Sequence, residues 1–96
     1  MKIIWSKKAK IDLNENIKYI AKKSPKNGLM VLNSLTELTN SLHTFPNAYP
    51  IEPIYNDKKI RFIAKWNFKI IYYIGKNTIY VMRIFNTHQH PNKIID

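Results

Sequence analysis

Three cations in the last third of the chain, Arg61, Lys69 and Arg83, lie within aromatic and β-branched runs that also contain Tyr73. Residues of these types handle phosphate: Arg and Lys hold its oxygens through charge-assisted hydrogen bonds, and an aromatic ring beside them stacks on a base or takes part in proton transfer. Whether they converge depends on register, because strand side chains alternate between faces. If Phe68 to Ile74 and Thr78 to Phe85 form a hairpin through Gly75-Lys76-Asn77, then Tyr72 lies opposite Tyr80, Ile70 opposite Met82 and Lys69 opposite Arg83. A three-residue connection at Lys65-Trp66-Asn67 adds Arg61 to that face and leaves Ile60, Phe62 and Ala64 for the core. Like charges across a sheet repel unless an anion lies between them, so the expectation is a phosphate cradle, with a solvated outer face as the plainer alternative. A slip of one residue breaks it.

Lys58, Lys59, Lys65, Tyr73, His90 and Lys93 are the candidate nucleic-acid contacts around that cradle. No metal or cofactor is expected. His88 and His90 are two apart, but the chain has no Cys, and no carboxylate follows them before Asp96. Glu15, Glu37 and Glu52 show no paired-carboxylate arrangement, and with Gly28 and Gly75 as the only glycines neither a P-loop nor a dinucleotide fingerprint can be built. Trp5 and Trp66 read as packing residues.

The elements that position these residues follow from hydrophobic period and turn chemistry. Lys2 to Trp5 is a short strand, and Ser6 is a helix N-cap. Ala9, Leu13, Ile17 and Ile20 then form one apolar stripe. Ser24-Pro25 restarts the pattern, predicting a second helix to about His43 with Val31, Leu35, Leu38 and Leu42 facing inward. The two helices pack as an antiparallel hairpin. Phe45-Pro46 closes it, and Pro46, Pro50 and Pro53 argue for an extended connector up to residue 59. Three strands follow, Ile60 to Lys65, Phe68 to Ile74 and Thr78 to Phe85, as an antiparallel meander. The class is α+β: an N-terminal strand, a helical hairpin and a meander completing one sheet.

The 96 residues fit a single domain, 1–96. Sixteen Lys and Arg against six Asp and Glu give a net charge of +10, which favours a polyanion or a folded acidic protein as partner. Without Cys, stability must come from packing. No apolar run approaches the roughly 18 residues of a membrane span, so no membrane partner is expected, and the location expected is cytoplasmic.

Several motifs, taken in order along the chain, resemble the RelE/ParE superfamily of toxins from bacterial type II toxin–antitoxin systems. They are Trp5, Ala9, Asp12 and Leu13 as W-x3-A-x2-DL; YIAKKSP at Tyr19 to Pro25; Phe45-Pro46; the NFKIIYYI segment; and the terminal IFNTHQHP. The resemblance implies a fold like that of small microbial ribonucleases and a cognate antitoxin that covers the working surface. It also implies one of two activities. RelE-like members cut mRNA in the ribosome without a metal; ParE-like members are described as DNA gyrase poisons that need no catalytic residues. The preferred reading is the ribosome-dependent mRNA endoribonuclease, with Arg61, Lys69, Arg83 and His88 as catalytic residues. His88 would stand where such enzymes carry a general acid or a transition-state cation, and Lys69 where they carry a phosphate-stabilising Arg. The alternatives are the gyrase inhibitor, to which the helical hairpin is more similar, and a plain basic nucleic-acid-binding module.

Overall fold

Ser6 ends one element and begins the next. In the computed structural model, which describes residues 1–87, its hydroxyl accepts a hydrogen bond from the Ala9 amide at 3.0 Å, capping helix α1 (Lys7–Lys23). The same oxygen donates to the Met82 carbonyl at 2.8 Å, so the cap also ties the helix to the last strand. Ser24 caps α2 (Pro25–Asn40) through the Asn27 amide, with Pro25 in the first turn where no helical hydrogen bond is lost. The helix ends three residues earlier than expected. Ser41 turns its hydroxyl onto the Leu38 carbonyl at 2.6 Å, and residues 41–43 tighten into a 3₁₀ turn that still buries Leu42. The two helices approach closely at Gly28, where a Cβ would stand 2.9 Å from that of Ala21.

The sheet contains β1 (Lys2–Trp5), β2 (Ile60–Lys65), β3 (Phe68–Ile74) and β4 (Thr78–Asn86) in the order β1-β4-β3-β2. The meander is antiparallel as expected, whereas β1 runs parallel to β4, which makes the sheet mixed. A parallel pair needs a crossover, and the helical hairpin is part of it, packing across one face. Ala9, Val31, Leu35 and Leu42 meet Ile63, Ile70, Tyr72, Ile79, Val81 and Ile84 there in the main core.

Both expected hairpin registers are corrected. The Gly75 amide donates to the Thr78 carbonyl at 2.8 Å, so the turn has two central residues, and Tyr72 faces Val81 rather than Tyr80. A bulge at Met82 then shifts the pairing again, so that Ile70 faces Ile84 and Lys69 faces Phe85. The reason is burial. Strict alternation from Ile79 and Val81 would bring Arg83 into the helix-facing core, and one extra residue turns Arg83 outward and Ile84 inward. The β2–β3 connection is also two residues, Trp66 and Asn67, with Lys65 opposite Phe68. That slip flips β2: Ile63 enters the main core, Phe62 and Ile60 join a second cluster with Ile71 and Phe85, Ala64 is exposed, and Arg61 lies on the helix side opposite Tyr72.

The connector folds back along the outer edge of β2. Ile51 bridges Arg61, the Phe62 amide donates to the Pro50 carbonyl at 3.1 Å, and the Glu52 amide donates to Ile60 at 2.9 Å, which covers an edge otherwise open to pairing. Tyr72 anchors its start by donating its phenol to the Pro46 carbonyl at 2.6 Å. Burial pushes the Tyr72 phenol up from 10.0 to about 12; the Arg61 charge opposes the rise and Tyr49 adds to it. A raised phenol favours the neutral folded form, so its contribution is whole below pH 10 and is lost as pH rises towards about 12. Unfolding in denaturant should therefore lose up to about 1.4 kcal/mol per pH unit across that window from this group. Tyr72→Phe, costing about 1 kcal/mol at neutral pH, should remove that part of the alkaline loss.

Candidate functional site

The expected cradle does not assemble, because each of its three described cations already has an anionic or carbonyl partner within the chain. Arg83 is held by Asp12 of α1, with Nε to Oδ2 at 2.7 Å and a second nitrogen to Oδ1 at 3.0 Å. The same carboxylate accepts from the Ile84 amide at 3.1 Å. Lys69 pairs with Glu52 Oε2 at 2.5 Å and lies 4.3 Å from the centre of the Phe62 ring. Glu52 is wholly buried, and its other oxygen accepts from the Ile54 amide at 3.3 Å. Arg61 donates to the carbonyls of Asn47, Tyr49 and Lys58, each at 2.9 Å, and so fastens the connector. Lys69 and Arg83 share the helix-free face only diagonally, with Phe85 directly opposite Lys69, and Arg61 is on the other face. His88, His90 and Lys93 lie outside the described residues.

Asp12 and Glu52 are the residues that the sequence reading missed. Asp12 carried a signal: an acid next to Leu13 on the buried stripe of α1 calls for a cation opposite it. Glu52 carried none, since it sits between Ile51 and Pro53 in a connector without period.

Three of the other candidates do come together. Lys58, Lys59 and Tyr73 line an open cleft of about 400 Å³ with Asn47, Gly75 and Lys76, the last of which the sequence reading left out. All three lysines are exposed, and among the described residues no carboxylate is paired with them. Tyr73 leans on Tyr80, with ring centres 6.2 Å apart, and Gly75 keeps the turn close, since a Cβ there would stand 3.1 Å from the Tyr80 ring. Chemically the cleft can hold phosphate or another anion at its lysines and a planar group at Tyr73. Lys65 is not part of it; its ammonium lies over the Trp66 ring, 4.9 Å from the centre, at the opposite end of β3. Among the described residues no group of His, Asp or Glu side chains is placed to hold a metal, and no helix is long and apolar enough to cross a membrane.

The two helices and the four-stranded mixed sheet define a small α+β domain. The family model for the ParE toxin of the type II toxin–antitoxin system parDE matches residues 3–91, and the chain belongs to that family. Among solved structures it is similar to a chain of the chromosomal ParDE toxin–antitoxin system from P. aeruginosa, at 21% identity and a TM-score of 0.73, over 90% of this chain and 95% of that one. No curated protein matches.

The clasp on Lys69 makes a test of structure against chemistry. Lys69→Ala leaves the buried Glu52 carboxylate without its cation and should cost about 3–5 kcal/mol in denaturant unfolding. Lys69→Met combined with Glu52→Gln removes both charges and should recover most of that loss. Full stability of Lys69→Ala would show that the lysine is free for other work.

Proposed function

We propose that this chain is a type II toxin that acts by binding DNA gyrase, carries out no phosphodiester cleavage of its own, and is held in check by a cognate antitoxin. The observation that carries this reading is that Arg61, Lys69 and Arg83 are engaged within the chain. A phosphate approaching the expected cradle would have to displace the Asp12 and Glu52 carboxylates, or the carbonyls that Arg61 holds, before it could be bound. A binding toxin needs none of these groups for chemistry, and they are free to serve the fold. The family match supports the same direction. The reading places the protein in the cytoplasm, with gyrase and DNA.

The ribosome-dependent endoribonuclease is the second reading, and the cleft of Lys58, Lys59, Tyr73 and Lys76 is the observation in its favour. Such a cleft would seat an RNA backbone. It would equally serve to contact DNA held by gyrase.

Purified toxin incubated with gyrase, ATP and supercoiled plasmid should trap cleaved DNA that appears as linear plasmid after protein digestion. With programmed ribosomes, mRNA should stay intact. Ribosome-dependent cuts in mRNA, together with no gyrase-linked breaks, would overturn the proposal and establish the nuclease.

A further inference from the structure

Trp66 occupies the first central position of the β2–β3 turn with φ 53°, a left-handed conformation that glycine adopts freely and a bulky side chain rarely does. Among the described residues Trp66 gains little in return, because 55% of it is exposed. Two more large side chains, Tyr19 of α1 at 64% exposure and Met30 of α2 at 52%, line the same groove of about 360 Å³. Its floor is apolar, formed by Ile20, Val31 and Phe68. Isolated exposed apolar residues are ordinary, but three from separate elements around one apolar floor mark a binding surface.

The charges around the groove are of one sign. Lys65 Nζ lies 4.9 Å from the Trp66 ring centre and Lys23 Nζ 5.6 Å from that of Tyr19, and among the described residues no carboxylate lines the groove. An occupant that matches it presents apolar side chains to the floor and carboxylates to the two rim lysines. This suits a protein segment better than a nucleic acid, since the carbon floor offers phosphates nothing and the denser lysine cluster lies at the other end of β3.

We infer that this groove is where the cognate antitoxin inserts an apolar anchor from an acidic amphipathic segment, with Trp66 as the principal contact. The inference rests on the type II toxin reading and adds to it the surface and the chemistry of the partner. It also separates two surfaces: the antitoxin grips the Trp66 end of β3, and the lysine cleft lies at the Gly75 end. The strained turn is then explained as a cost of the free toxin that the complex offsets by burying the ring.

The test uses the protein encoded by the small reading frame beside this one, purified with the toxin and then separated from it. In a Trp5→Phe background Trp66 is the sole tryptophan, and its emission should move to shorter wavelength when that protein is added. Trp66→Ala and Tyr19→Ala should each weaken binding about tenfold or more, and Leu29→Ala, exposed on α2 but outside the groove, should change it less than about twofold. Trp66→Gly separates contact from fold: it relaxes the turn, so stability should hold or rise while binding weakens as in Trp66→Ala. Unchanged emission and unchanged affinity in these variants, with wild type still binding, would overturn the groove and leave the toxin reading standing. Trp66 emission already at short wavelength in the free toxin would overturn it too, since the ring would be covered without the partner. If wild type binds no neighbouring product, the toxin–antitoxin reading itself fails.

Discussion

The carboxylate of Asp12 does at the edge of the sheet what a strand would otherwise do. β1 stops at Trp5, opposite Val81, while β4 runs on to Asn86, so among the described residues the upper part of β4 has no strand beside it on that side. Ser6 takes the first groups, donating its amide to the Val81 carbonyl and its hydroxyl to that of Met82. Asp12, two turns into α1, then accepts from the Ile84 amide and from two guanidinium nitrogens of Arg83. One acid thereby satisfies a backbone donor, neutralises a half-buried cation and fixes the helix on the sheet. The bulge at Met82 is its counterpart, because it takes Arg83 out of the strict alternation that would bury it, and the guanidinium meets Asp12 instead. The corner thus fixes how α1, and with it the face that packs on the main core, sits on the sheet.

The elements were legible because they depend on local signals: the serine caps at Ser6 and Ser24, the stripe from Ala9 to Ile20, and the β-branched runs of the last third. The cradle was not, because it depended on register. Two-residue turns replaced the three-residue ones assumed at Trp66 and at Gly75, and the shorter Gly75 turn and the bulge at Met82, one residue each, together moved Lys69 from Arg83 to Phe85. Nothing local signals such a turn at Trp66, where φ is positive without a glycine. The anions that Arg83 and Lys69 meet are Asp12 and Glu52 of the chain itself, and only Asp12 lay beside a readable stripe. Lys58, Lys59 and Tyr73 came together through the path of the connector, which carries no period from which a sequence reading could place them.

The structure divides its charge by task. Cations inside the sheet are paired and support the fold, as with Arg83, Lys69 and Arg61. Those at the two ends of β3 face outward, Lys58, Lys59 and Lys76 around a cleft and Lys65 beside an apolar groove. On the proposed function, action by contact, this arrangement would supply a framework that does not depend on its ligands and separate surfaces for target and inhibitor.

The central claim is that Arg83 is committed to Asp12, and a double-mutant cycle measures that commitment. Asp12→Ala, Arg83→Met and the double variant are compared with wild type by denaturant unfolding. The account predicts a coupling energy of about 1.5–3 kcal/mol, the scale of a two-pronged charge-assisted contact. A coupling within about 0.5 kcal/mol of zero, the scatter of independent sites, would contradict it and return Arg83 to the list of groups available for phosphate chemistry.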